Sequence, residues 1–260
     1  MTWDIEKLDL NAYLARIRHD GPRAPTAATL RAVHRAHVQA IPFENLDVVL
    51  GRGVRLDLGS LQDKLVTGGR GGYCHEHNLL FAAALERLGF GVTRHLARIR
   101  VGGRRHLPRT HATLTVRAEG RTWLADVGFG GDGLVEPMPF EDGATLEADG
   151  RRWRLARDGG YHVLHAGAAG QDAELYAFRP GEPFLPSDFE VANFYVAHHP
   201  RSPFRHHVLL QRVTAAGERL RLEDQPPPAT AEDLRALLDG AFGITVTAAD
   251  AGALLPLITG

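Results

Sequence analysis

The sequence predicts an α+β fold, and three observations carry that prediction. Apolar residues recur at helical spacing as far as residue 90, the period changes to two from Gly91, and the chain beyond Pro200 mixes both. Helices, then antiparallel strands, then a mixed tail is an order unlike that of alternating βαβ units. A chain of 260 residues, 44% hydrophobic and 23% charged, has room for one large domain or two to three small packed ones.

Each element has its own signal. Leu10, Tyr13, Leu14 and Ile17 share a helical face that stops at Gly21-Pro22. Thr26 caps a second helix carrying Leu30, Val33 and His37, which ends at Ile41 because Pro42 follows. Leu61 and Leu65 mark a third helix after Asp57. A fourth runs from about His75 to Leu88, with Phe81, Ala84, Leu85 and Leu88 on one face and Gly89 as its stop. From Gly91, the stretches Val92 to Val101, Thr113 to Arg117 and Thr122 to Val127 alternate as strands do, followed by Arg151 to Leu155 and Tyr161 to Leu164. His207 to Val213 and Glu218 to Leu222 flank Ala216-Gly217 as a hairpin, and Pro226-Pro227-Pro228 is a stiff spacer. Thr230-x-x-Asp233 opens the last helix, with Leu234, Leu237 and Leu238. No internal repeat is found.

Composition narrows the function classes. Lys plus Arg total 30 against 31 Asp plus Glu, a net charge of -1, without the basic excess of a nucleic-acid binder. The only lysines are Lys7 and Lys64, both read as solvated surface, which leaves little room for Schiff-base chemistry. The longest apolar run, Leu79 to Leu85, is far short of the roughly 20 residues of a membrane-spanning helix. The N-terminus shows no apolar signal segment. The single cysteine, Cys74, allows no internal disulfide, so the expectation is a cytoplasmic protein whose thiol is buried filler or a working group.

Arg70-Gly71-Gly72-Tyr73-Cys74-His75-Glu76-His77-Asn78 is the most informative stretch. Two glycines permit a tight turn, and Cys74 falls at the start of the fourth helix, where unpaired N–H groups and the helix dipole favour a thiolate. Its partners follow from a hairpin. If Glu119 and Gly120 are the central residues of the turn in Arg117-Ala118-Glu119-Gly120-Arg121, then Ala118 pairs with Arg121 and Thr113 with Asp126. His111 then shares a face with Thr113 and is the diagonal neighbour of Asp126. The opposite face carries Ala112, Leu114 and Val116 against Trp123, Ala125 and Val127 as a core side. A carboxylate on one imidazole nitrogen leaves the other free to take a thiol proton. The spacing alone does not bring Cys74 to the pair, and a satisfied His–Asp pair on a sheet is the plain alternative.

These residues, with Ile41-Pro42-Phe43-Glu44-Asn45-Leu46, Thr110-His111, Leu124 to Gly131, Asn193 to Val196 and His199 to Phe204, appear in an order that resembles the arylamine N-acetyltransferases. The resemblance runs from the first helix into the tail. It implies a Cys74–His111–Asp126 triad arranged as in cysteine proteases. It implies three segments as well: a helical bundle over 1–90 carrying the nucleophile, an antiparallel β-barrel over 91–192 carrying the histidine and aspartate, and an α/β lid over 193–260. The implied reaction is ping-pong transfer of an acetyl group from acetyl-coenzyme A to the cysteine, then to an arylamine, arylhydrazine or arylhydroxylamine. Acetyl-coenzyme A is a co-substrate there, and no cofactor is held permanently. Thr110, Gly128, Gly130 and Gly131 correspond to the coenzyme side, and Phe43, Phe129 and Phe204 to the aromatic substrate. One position departs from the pattern: the residue after the cysteine is generally aromatic in bacterial members and is His75 here.

Several rivals share features with this reading. The 14 histidines invite a metal site, but His75 and His77 are two apart and point to different sides of a helix, unlike His-Glu-x-x-His. No metal is expected. A cysteine peptidase uses the same triad, and a non-catalytic binding module would carry an inert thiol. Within the family, amide synthases close a polyketide macrolactam and take their substrate from a carrier protein. The expected partners are a small aromatic amine or hydrazine and coenzyme A, with no nucleic acid or membrane, and a carrier protein only in the synthase case.

Overall fold

The computed structural model describes residues 3–168, 171–181 and 184–259. Its N-terminal part is helical, as expected. Helix α1 (Leu10–Arg16) starts where the Asp9 carboxylate accepts from Ala12 N. Helix α2 (Ala27–Ala40) starts at Thr26, whose hydroxyl accepts from Thr29 N, and ends before Pro42. A two-residue strand, β1 (Phe43–Glu44), and helix α3 (Leu46–Val49) follow. Helix α4 (Leu58–Leu61) is capped by Asp57 and continues as a π-helical turn over Gln62–Thr67. Helix α5 (Cys74–Arg87) is the axle of this half, buried without a break from Cys74 to Leu85.

Eight strands form one antiparallel sheet in the order β5-β4-β3-β2-β9-β8-β7-β6. They are β2 (Gly91–Ile99), β3 (Arg109–Ala118), β4 (Arg121–Ala125), β5 (Met138–Pro139), β6 (Thr145–Ala148), β7 (Arg151–Asp158), β8 (Tyr161–Ala168) and β9 (Gln171–Phe178). The sheet curls until its outer strands β5 and β6 approach each other, a nearly closed barrel. The β3–β4 hairpin takes the expected register, Ala118 opposite Arg121 through Leu114 opposite Ala125. Its central residues Glu119 and Gly120 both have positive φ, 50° and 75°, the mark of a type I′ turn.

Alternation along the hairpin divides the core in two. Ala112, Leu114, Val116, Trp123 and Ala125 pack against Leu30, Val33, Phe81 and Leu85 of the helices. Leu124 faces the other way into the barrel, among Trp153, Leu155, Leu164, Tyr176 and Phe178.

Helix α6 (Pro186–His198) leaves the barrel and leads to the C-terminal part. The boundary expected after residue 192 falls inside it. Strands β10 (Leu210–Val213) and β11 (Arg219–Arg221) form the expected hairpin, and β10 also pairs with β1, which ties this part to Phe43. Helix α7 (Ala231–Leu237) has the Thr230–Asp233 capping box, but it is not the last helix: α8 (Ala248–Thr259) follows. Leu46, Leu210, Leu234, Phe242 and Leu254 make a third core here. Among the described residues no helix is long and apolar enough to cross a membrane.

Candidate active site

The first turn of α5 carries Cys74, His75, Glu76, His77 and Asn78, all at most 5% exposed. Buried polar groups are tolerated where each finds a partner, and most of these do. Glu76 accepts from Tyr73 N at 2.9 Å and so caps the helix. Lys64, expected on the solvated surface, is largely buried instead, 2.7 Å from Glu76 and 2.8 Å from Asp47. Two carboxylates drawn together by the fold take its charge out of water. Arg70, before the cysteine, binds Glu44 of β1 at 2.6 Å and so anchors the turn.

The hairpin delivers the other two residues. His111 Nε2 lies 2.6 Å from Asp126 Oδ2, and both are almost fully buried. Asp126 Oδ1 accepts from Asn78 Nδ2 and Gly128 N, each at 2.9 Å, and Asp126 N–H donates to His34 Nε2 at 3.2 Å. Cys74 is close enough to His111 to be among the groups that favour its charged form, and its Sγ lies 3.7 Å from the carbonyl of the adjacent Thr110. The three residues that the sequence singled out are therefore in one place.

A β-bulge completes the arrangement. Ala97 pairs with His111 and Arg98 with Arg109, so Thr110 stands outside the ladder. Its carbonyl turns to Cys74, with Sγ 3.7 Å away.

The electrostatics single out His111. Burial alone depresses an imidazole, but the Asp126 charge and hydrogen bond, aided by Cys74, raise His111 to about 10. Burial pushes Asp126 up, yet the His111 charge and the bonds from His111, Asn78 and Gly128 hold it below the usual carboxylate range. His75, in the same turn as Cys74, is pushed down to about 3, chiefly by burial. Its ring packs edge-on against Tyr73 and Phe189, and neither ring nitrogen makes a hydrogen bond of good geometry among the described residues, although the Thr110 backbone is close enough to oppose the effect of burial in part.

The glycines after Asp126 have a steric reason. A Cβ on Gly128 would lie 2.8 Å from Cys74 Cα and 2.7 Å from Asn78 Nδ2, so only glycine lets this loop touch the start of α5. Gly130 has φ 72° and lies against the Phe43 ring. Gly131 N donates to Gln211, and Arg219 donates to the carbonyls of Gly131 and Gly133, so the β10–β11 hairpin clasps the loop. Phe43 and Phe129 line one small cavity of about 30 Å³ with Asp126 and His77. Phe129 also meets the His111 ring edge-on at 5.3 Å. Phe204 stands apart from that cavity, against Phe43 and Tyr73. Among the described residues no three His, Cys, Asp or Glu side chains are grouped as a metal site.

A family model described as N-acetyltransferase matches residues 26–251, the span that holds every residue of this site. The chain belongs to the arylamine N-acetyltransferase family. It is 41% identical to an Escherichia coli arylamine N-acetyltransferase over 82% of this chain and 76% of that protein. The solved Salmonella typhimurium arylamine N-acetyltransferase superposes with a TM-score of 0.89 at 35% identity, over 95% of this chain and 97% of that one. The Mycobacterium marinum arylamine N-acetyltransferase, solved in complex with CoA, superposes at 0.84 and 31% identity, over 95% and 98%. The chain is thus an enzyme, an acyltransferase of this family.

Sequence reasoning missed the supports of this site. Asn78 had a signal, since it stands one helical turn below Cys74 in the same motif. His34, Gln211 and Arg219 had none, because their partners are far away in the chain.

Proposed function

We propose that the protein transfers an acetyl group from acetyl-coenzyme A to Cys74 and then to an aromatic amine or hydrazine. One observation carries the reading: a buried His111–Asp126 pair 2.6 Å apart stands beside the thiol at a helix start. The imidazole takes the thiol proton, and Asp126 stabilises the imidazolium that results. The thiolate attacks the thioester carbonyl, a Cys74–acyl bond forms, and the coenzyme leaves as its thiol. Exchange of one thioester for another costs little. The amine then attacks the acetyl-cysteine while His111 accepts its proton, and Cys74 is regenerated.

The Thr110 carbonyl faces the sulfur and Gly128 packs on the Cys74 backbone; these two, with Gly130 and Gly131 further along the same loop, are assigned to the coenzyme side. Phe43 and Phe129, with Phe204 behind Phe43, are assigned to the ring of the amine. The Mycobacterium marinum relative solved with CoA supports the choice of donor. Mixing the protein with acetyl-coenzyme A alone should add one acetyl group, located at Cys74 by mass spectrometry, and Cys74→Ala should lose it. Two-substrate kinetics with arylamines and arylhydrazines should give parallel double-reciprocal lines. A protein that ignores acetyl-coenzyme A but loads a long-chain acyl thioester at Cys74 would be an amide synthase instead.

A further inference from the structure

Four polar side chains beneath the site have no part in the transfer steps. Tyr13 on α1, His34 and His37 on α2, and His77 on α5 are all fully buried. Three of them form a chain. Tyr13 Oη is 2.8 Å from His37 Nδ1, His37 Nε2 is 2.9 Å from His77 Nδ1, and His77 Nε2 is 3.2 Å from the Pro42 carbonyl oxygen.

The far end decides the direction of every bond. A carbonyl oxygen only accepts, so His77 carries its hydrogen on Nε2. Its Nδ1, bare in the neutral ring, accepts from His37 Nε2–H. His37 Nδ1 is then bare too and accepts from the Tyr13 hydroxyl. Burial keeps both rings neutral, and it holds His77 at about 4. The groups facing them, His34 and Arg16 at His37 and Lys64 and Asp126 at His77, do not reverse that effect.

The acceptor end reaches the site. Pro42 precedes Phe43, and its carbonyl also receives Gly72 N–H at 3.4 Å, two residues before Cys74. A Cβ on Gly71 would fall 2.0 Å from that oxygen. The Phe43 ring lies nearly parallel to His77, with centroids 6.3 Å apart. One imidazole therefore holds the carbonyl before Phe43 and backs the Phe43 ring.

We propose that Tyr13, His37 and His77 form a hydrogen-bonded strut, with both histidines in the Nε2–H tautomer, that places Phe43 for the aromatic acceptor. They are positioning residues acting through Phe43 and Pro42. The clause about the acceptor rests on the transfer reading above, whereas the tautomers do not.

Two measurements on the full-length chain test the proposal separately. Side-chain ¹⁵N spectra of the histidine-labelled protein, assigned with His37→Gln and His77→Gln, should show both rings as Nε2–H and unchanged between about pH 6 and 8. An Nδ1–H ring at either position, or titration in that range, overturns the strut. The half-reactions are then compared: acetylation of Cys74 by p-nitrophenyl acetate, and transfer from acetyl-Cys74 to an arylamine. His77→Leu should raise KM for the amine by about tenfold beyond any change in acetylation, the value of one hydrogen bond to a buried acceptor. His77→Gln, which keeps a donor for Pro42, should recover most of that loss. Equal loss in both half-reactions, or no rescue by glutamine, overturns the role in placing Phe43. A parent enzyme that never transfers to an amine overturns the acceptor clause with the transfer reading, and the nitrogen spectra alone then decide the strut.

Discussion

Asp126→Asn removes one charge and almost nothing of the side chain's shape. Oδ1 serves two donors, Asn78 Nδ2 and Gly128 N, so the amide of the variant keeps its oxygen there. Its NH₂ group then turns to His111 Nε2. Two donors cannot face each other, so the imidazole must bare Nε2 and move its hydrogen to Nδ1, the nitrogen away from Asp126 that takes the thiol proton in the proposed mechanism. That tautomer has no lone pair for the thiol proton. The lost charge adds to the effect: an ion pair with centres near 4 Å is worth about 4 kcal/mol at an effective dielectric of 20. Acetylation of Cys74 should therefore slow by roughly 10³-fold, and a serine protease loses about 10⁴-fold in the same exchange. Iodoacetamide alkylation followed against pH reads the thiolate directly. At a given pH the variant should alkylate more slowly than the parent. Thermal melting of both proteins checks that the fold survives. A folded variant whose alkylation profile and turnover match the parent would remove Asp126 from the mechanism.

Three further outcomes are expected. Burial lowers His34, His77 and His95 from 6.5 to about 4 and His75 to about 3, so the unfolded chain binds more protons than the folded one below pH 6.5. Each group should cost about 2 kcal/mol between pH 7 and 5, partly offset by Glu76, whose carboxyl is raised to about 7. His111 has the opposite sign: raised to about 10, it stabilises the fold below 6.5 and that contribution disappears as pH rises through 10. Tm should fall on both sides of neutrality, and a Tm that is flat from pH 7 to 5 would contradict the burial argument. His75→Phe replaces two unpartnered buried nitrogens with carbon between Tyr73 and Phe189, and should raise stability by about 1–2 kcal/mol with turnover retained; a large loss of turnover would give His75 a chemical role. Gly128→Ala puts a methyl 2.8 Å from Cys74 Cα and should slow acetylation by at least about tenfold while far-UV circular dichroism stays unchanged; a fully active variant would show that the loop yields there.

What was legible in the sequence depended on short-range physics. Thr26, Asp57 and Thr230 cap the helices they precede because a cap is decided within four residues. The register that joins His111 to Asp126 was legible because two turn residues, Glu119 and Gly120, set it. Helix α6 was not: Phe189, Ala192 and Val196 are buried while Val191 and Phe194 are exposed, so no apolar stripe shows. Helix α8 is apolar on most sides and contains Pro256, which argued against a helix. Strand β1 pairs with β10, which arrives from the far end of the chain, and bridges to Gly72, so neither partner is local to it. Lys64 was misread for the same reason, since neither Asp47 nor Glu76 is its neighbour in sequence.

The histidines show how far one local feature can decide function. His34, His37, His75, His77 and His111 lie in the same buried region around the start of α5, and burial disfavours the charged form of every one. Four are driven below the ordinary value, and His111 alone is driven above it. Depth does not distinguish them. Asp126 does, because its carboxylate stands 2.6 Å from His111 while the others meet a carbonyl, an amide, another ring or nothing. A ring that stays neutral serves as a fixed donor and acceptor, suited to holding backbone in place. A ring whose charged form is stabilised can keep a proton taken from a thiol. The partition between scaffold and base therefore follows from where a single carboxylate falls, and a two-residue turn puts it there.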